Sequence, residues 1–248
     1  MLRNITLTVL MASAAVAGSF DSQVRDDFFA GFGGNAARFA AGMQKCEDLL
    51  AREPNEPEAL VWHGAGLYFQ AKLAFTKGDA KRGMELATRG QTEMDRAAGL
   101  APNDLAVRIP RGAVYITATR SMPRSPGTVA LLQRGIEDYE TAFAKQKDSL
   151  AELTPHARGE LLFGLAEGYL RLGDAAKARG YFEKLAAGQG DDHAAQARAW
   201  LESGQLTGAT TCGGCHVRCA AAVGGAGLRP ALGGSGTCPT LGLTMVIR

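Results

Sequence analysis

From Asp21 to about Gly204 apolar residues recur at three- and four-residue spacing, with little of the alternation that marks strands. That periodicity limits the chain to packed helices. It is clearest between Thr154 and Gly190. Thr154 is placed to N-cap, Pro155 suits the first helical position, and Leu161, Leu162, Leu165, Ala166, Tyr169 and Leu170 share one stripe. Gly173-Asp174 then ends this helix and caps a second, which carries Ala175, Ala178, Tyr181, Phe182, Leu185 and Ala186 up to Gly188-Gln189-Gly190. The two segments form a helical hairpin.

Leu165-Ala166, Tyr169, Gly173, Ala178 and Phe182 fall on the spacing of a tetratricopeptide repeat, the helix-turn-helix unit of about 34 residues, and the hairpin resembles that family; Gly190 stands where the family has Pro. Small residues at those offsets let the paired helices approach, and the aromatic residues fill the groove against the neighbouring unit. Earlier units are more divergent. Leu49-Leu50 with Pro54-Asn55 looks like the end of one repeat, and Trp62, Gly66 and Phe69 like the first helix of the next. Gly78-Asp79-Ala80-Lys81 echoes Gly173-Asp174-Ala175-Ala176-Lys177, and Pro102-Asn103 closes the unit as Pro54-Asn55 did. The wide spacing of those two prolines makes at least one pair of helices longer than the family standard. Asn103 to Arg120 reads as a helix distorted at Pro110, Pro126 to Lys145 as its partner, and Asp191 or Asp192 as the cap of a last helix through Leu201. The resemblance implies an all-α fold of about eight to ten helices, antiparallel hairpins stacked as a right-handed solenoid, with a protein or peptide partner in its concave groove.

The composition agrees with a folded helical domain. The 248 residues are 46% hydrophobic and 21% charged, which excludes a disordered, collagen-like or multi-span membrane chain. With 27 Lys plus Arg against 25 Asp plus Glu, nothing in the charge balance points to nucleic acid. Within the helices His63, His156 and His193 show no metal-ligand spacing, and Trp62, Tyr68, Phe69, Tyr115, Tyr139 and Phe163 read as packing residues. Lys77 to Arg82 reads as a solvated face, and Cys46, between Met43 and Leu49, as a small buried hydrophobe. No nucleophile-base pattern, phosphate-cradling Gly loop or His-Glu metal motif stands out, so no enzyme activity is expected.

The two ends differ from this middle. Met1 to Ala17, MLRNITLTVLMASAAVA, has Arg3, an apolar run from Ile5 to Val16 and small residues at Ala15 and Ala17, the plan of a secretory signal cleaved before Gly18. Its apolar run is shorter than the roughly 20 residues that span a bilayer, and no later segment is more apolar, so a periplasmic or secreted protein without an integral membrane segment is expected. The domain plan is therefore a signal peptide over 1–17, the helical repeat domain over 18–204, a linker with a cysteine motif over 205–216, and a tail over 217–248.

Four of the five cysteines lie within residues 212–248. Cys212-Gly213-Gly214-Cys215-His216 matches the Cys-x-x-Cys-His attachment motif of c-type haem. Cys212 and Cys215 form the thioethers and His216 becomes the proximal iron ligand. Export supports the match, because bacteria attach haem outside the cytoplasm. Alternatives stay open at this point: a disulfide or thiol-exchange pair, a zinc site using Cys212, Cys215, His216 and Cys219 or Cys238, an iron-sulfur cluster, or an inert pair. Without haem the chain is a periplasmic scaffold. Only residues 217–248 follow His216, too few to enclose a haem, so its pocket has to come from the helical array or a partner. Met245, His63, His156 and His193 are the distal-ligand options. Residues 217–248 hold seven Gly, three Arg and no acidic residue, a composition expected of a disordered tail or of a shifted reading frame.

Overall fold

The computed structural model describes residues 19–188 and 192–206. They form nine α-helices: α1 (Phe20–Phe32), α2 (Ala36–Arg52), α3 (Pro57–Thr76), α4 (Ala80–Leu100), α5 (Leu105–Ala118), α6 (Pro126–Gln146), α7 (Pro155–Leu172), α8 (Ala175–Ala186) and α9 (Asp192–Ser203). A 3-10 helix, Lys147–Glu152, links α6 to α7. No strand is present among the described residues. The fold is all-α and repeat-like. The expected signal peptide, the cysteine motif from Cys212 onward and the tail lie outside the described residues.

The helix ends have local causes. Asn35, Asp79, Asp104, Ser125, Thr154 and Asp174 each accept a backbone N–H of the first turn with the side chain. Pro57, Pro126 and Pro155 occupy first-turn positions where no N–H is needed. Gly78 (φ 82°) and Gly173 (φ 91°) take the left-handed conformation that turns α3 into α4 and α7 into α8, each followed by a capping Asp. The two turns the sequence pairs are thus built alike. α5 runs as one helix through Pro110. α9 begins at Asp192; Asp191, its alternative cap, lies outside the described residues.

Consecutive helices pair as hairpins, α1–α2, α3–α4, α5–α6 and α7–α8, with α9 against α8. The first helices also touch one another in the order α1, α3, α5, α7, α9, whereas consecutive second helices meet at most marginally. The first helices are therefore the spine of the stack. Their burial agrees: α3 is buried at every position from Ala59 to Leu67 and α7 from Leu161 to Gly168. α4, by contrast, buries one stripe, Gly83, Leu86, Gly90, Met94, Ala97 and Ala98. The long pair expected from the proline spacing is α3–α4, with α4 at 21 residues against 12 for α8. Gly64 and Gly90 let these helices touch: a Cβ on Gly90 would lie 2.6 Å from the Gly64 carbonyl oxygen.

The core is a string of three clusters along the spine. Val24, Phe28, Trp62, Met94 and Tyr115 centre the first, Ile136, Tyr139 and Leu165 the second, and Phe163, Phe182 and Trp200 the third. Every aromatic residue assigned to packing from the sequence is buried or half-buried, and Cys46 is fully buried.

Candidate functional site

Buried charge is concentrated where helices pack, both within hairpins and between them. Asp138 on α6 accepts from Arg111 Nε (2.7 Å) and Nη2 (2.8 Å) and from Arg108 Nη1 (2.6 Å) on α5. Asp95 on α4 takes Arg111 Nη1, the Tyr115 hydroxyl and Arg134 Nη1 at 3.1, 2.7 and 2.5 Å. Between α5 and α7, Arg120 clamps Glu167 with two parallel bonds, and Arg171 donates to the Ile116 carbonyl and to Thr119. On α1, Asp27 pairs with Arg38 and Lys45 of α2. Burial alone would raise its pKa, but the hydrogen bonds and charges of Lys45 and Arg38 outweigh that and hold it below the usual carboxylate value. The carboxylates are each held by several donors, which is the geometry of a structural staple.

The histidines sit in different settings. His63 on α3 is buried, with Nδ1 2.5 Å from Glu93 and Nε2 3.7 Å from Glu47. Burial would raise Glu93; the His63 hydrogen bond and charge, with Arg89, hold it low instead. His193 lies edge-on to Phe163 with ring centroids 5.2 Å apart, and His156 Nε2 is 3.5 Å from Glu160. Among the described residues no three or more His, Cys, Asp or Glu side chains are arranged to hold a metal ion. Cys46 is a free thiol pushed well up by burial and by nearby carboxylates, the reverse of a reactive cysteine.

The end of the stack nearest the cysteine motif is aromatic. Trp200 of α9 stacks on Phe182 of α8 at 4.4 Å, and the Arg179 guanidinium lies 5.9 Å from its ring centre. Tyr169 and Tyr181 stack at 6.0 Å, and both hydroxyls donate to Oε1 of Glu140, at 2.7 and 2.8 Å. Burial, and after it the Glu140 carboxylate, push both phenols up. Gly204 (φ 70°) ends α9, and Leu206 folds back onto the cluster of Phe182 and Trp200. Trp200 is 7% exposed, and its Nε1 has no hydrogen-bond partner. An unsatisfied buried donor costs about 1–3 kcal/mol.

Cys212, Cys215 and His216, the residues the sequence selects, lie outside the described residues, as do Cys219, Cys238 and Met245. The structure describes the surface from which the chain leaves towards them. Spacing rules could not single out Trp200; its one sequence signal is a Trp on the last apolar stripe before the motif. No helix among the described residues is long and apolar enough to cross a membrane. Comparison with known protein families, with curated proteins and with solved structures returns no match for this chain.

Proposed function

We propose that this chain is an exported, tetratricopeptide-like repeat protein that carries one covalent c-type haem on Cys212 and Cys215, with His216 as proximal iron ligand, and that it serves electron transfer and protein–protein contact in the periplasm or outside the cell. One observation carries it: the helical stack ends in an aromatic cluster that includes Leu206, six residues before Cys212. Six residues reach at most about 20–22 Å, a span short enough for the motif to meet this cluster. Leu201 and Leu206 are among the partly buried residues of that cluster, and Phe182 and Trp200 are buried within it. Bound there, haem supplies a one-electron iron couple. The protein residues supply the apolar surroundings that exclude water and tune the couple. The hairpin stack supplies the contact surface for a protein or peptide partner along its concave face.

The test is a denatured pyridine-haemochrome spectrum of protein expressed with its own signal in a host that attaches haem, beside a Cys212→Ala/Cys215→Ala control. The expected result is a haem band that survives denaturation and disappears in the control. No band, where a control cytochrome matures, refutes it.

A haem-free scaffold is the second reading, with the cysteines in a disulfide or zinc site. It is favoured by the α3–α4 tip, where Leu73, Phe75 and Met84 are each exposed and offer apolar side chains to a protein partner.

A further inference from the structure

We propose that the edge of the stack formed by the turns within its hairpins docks on an anionic lipid bilayer, and that the α3–α4 end, with Leu73, Phe75 and Met84, settles into the lipid interface. This goes beyond the haem and scaffold readings and depends on neither.

Side-chain contacts place these turns on one edge. Phe32 at the end of α1 and Phe39 near the start of α2 pack on Phe69, late in α3, with ring centroids 5.0 and 5.2 Å away. Tyr68, also late in α3, meets Tyr115 late in α5 at 6.5 Å. Arg124 of the α5–α6 turn donates to the Arg171 carbonyl near the end of α7 at 2.8 Å.

Charge on that edge is one-sided. Lys72, Lys77, Lys81 and Arg82 crowd the α3–α4 end, all exposed, and exposed Arg124 and Lys177 continue the row. The carboxylates there are engaged: Asp79 and Asp174 each accept a backbone N–H at 3.0 Å as helix caps, and Glu85 lies 3.6 Å from Arg82. Among the described residues Lys72, Lys77 and Lys81 form no ion pair. The connections on the opposite edge, 53–56, 101–104 and 147–154, carry Glu53, Glu56, Asp104, Asp148 and Glu152 against Lys147 alone. A molecule positive along one edge and negative along the other is oriented by an anionic surface.

The apolar side chains choose lipid over protein. Leu73, Phe75 and Met84, at 44%, 44% and 62% exposure, are three of the four large apolar residues exposed among the described residues. From Lys72 to Glu85 every residue except Ala74 and Gly83 is exposed, so this hairpin end stands clear of its neighbours. Its apolar groups do not share one face. Phe75 lies across Gly83 of α4, where an added Cβ would be 2.7 Å from its ring, whereas Leu73, two residues earlier, leaves α3 about 200° away. A protein docked on one side leaves the other in water, while a lipid interface closes round the whole end. Leu73 is four residues before Lys77 and Met84 five after Asp79, which places them within about 8 Å of the turn along the helix axes. Apolar side chains meet the headgroup and acyl boundary at such depths, and lysine stems extend back to the phosphates.

The experiment sediments the full chain with vesicles of phosphatidylcholine, alone or with about 30% phosphatidylglycerol, at about 0.1 and 1 M salt. The expected result is binding at least about tenfold tighter to the anionic vesicles, and weaker at the higher salt. Lys77→Glu/Lys81→Glu and Leu73→Ser/Met84→Ser each lower it about tenfold. Lys147→Glu/Lys184→Glu makes the same change in net charge on the opposite edge and leaves binding within about twofold. Circular dichroism confirms that the variants stay folded. No preference for anionic vesicles overturns the proposal, as does an equal loss in the Lys147→Glu/Lys184→Glu control, which reduces the attraction to net charge. Soluble polyglutamate bound as tightly as the vesicles, with Leu73→Ser/Met84→Ser without effect, overturns it in favour of an acidic polypeptide.

Discussion

Asp138→Ala is expected to be among the most destabilising single substitutions in the described stack. Asp138 is fully buried and accepts three charge-assisted hydrogen bonds from Arg111 and Arg108. With the carboxylate gone, Arg111 keeps Asp95 at 3.1 Å, but Asp95 already serves Arg134 and Tyr115. A buried guanidinium is left undercompensated, which costs about 3–5 kcal/mol. Set against the roughly 5–15 kcal/mol that stabilises a whole domain, that loss is large. For a domain of this size each kcal/mol moves Tm by about 2–4 °C, so a fall of roughly 6–20 °C is expected. Because α5–α6 lies mid-stack, the loss should also divide unfolding into two transitions. Thermal and urea unfolding monitored by circular dichroism measure both effects. The companion is Arg111→Met/Asp138→Leu, which removes both charges and should recover most of the loss, since burying a charge pair is itself costly. A Tm fall under about 2 °C for Asp138→Ala, or a double variant no better than the single one, refutes the charge argument.

Two further outcomes are open to direct measurement. Gly90→Ala should cost about 1–3 kcal/mol by forcing α3 and α4 apart at Gly64, while Gly99→Ala, with no atom within 4 Å of its added carbon, should gain about 0.5–1 kcal/mol; denaturant midpoints of opposite shift check the pair. Asp27 has a folded pKa depressed below its ordinary 3.8, so its contribution is present above pH 3.8 and is lost as pH falls through the lower folded value. Asp27→Asn should therefore be less stable than wild type at pH 6, with the gap closing below pH 3.8; a gap that is unchanged at pH 2 would contradict the assignment.

Much of the helix framework is legible because its signals act within one turn. Thr154 and Pro155, the paired Gly78-Asp79 and Gly173-Asp174 turns, and the wide spacing from Pro54 to Pro102 fix where α7, α4 and α8 begin and why α4 is long. The charge network is not legible in that way. Arg111 and Asp138 are 27 residues apart and Arg120 and Glu167 are 47 apart, so no local period links them. The helices hide them further, since a charged residue on a spine helix looks solvated until packing shows that α7 is buried at every position from Leu161 to Gly168. Gly64 and Gly90 are similar: each alone reads as a weak helix position, and only the crossing shows a contact. For the site, the motif Cys212-x-x-Cys215-His216 is read from spacing alone, while Trp200 becomes notable only because its burial and its missing acceptor are seen together.

The distribution of these polar contacts bears on how a stack with so apolar a spine keeps its register. Apolar helices can slide by a turn, about 5.4 Å, and bury nearly the same area. A buried hydrogen-bonded pair cannot, because the slide leaves both partners unsatisfied. Such pairs recur from one end to the other: Trp62 with Asp21 between α3 and α1, His63 with Glu93 between α3 and α4, Arg111 with Asp138 between α5 and α6, Arg120 with Glu167 between α5 and α7, and Tyr169 and Tyr181 with Glu140 across α6, α7 and α8. Trp62 with Asp21 and Arg120 with Glu167 tie neighbouring first helices, and, Tyr181 with Glu140 aside, the other pairs tie a first helix to a second one. At α9 the corresponding buried donor is Trp200 Nε1, and its acceptor is missing. If the Cys-x-x-Cys-His segment beyond Leu206 takes haem as proposed, attachment should raise the unfolding temperature of α7–α9 in particular. Hydrogen exchange in the haem-bearing and Cys212→Ala/Cys215→Ala forms tests this: added protection confined to α7–α9 supports a pinned last step, and uniform or absent protection refutes it.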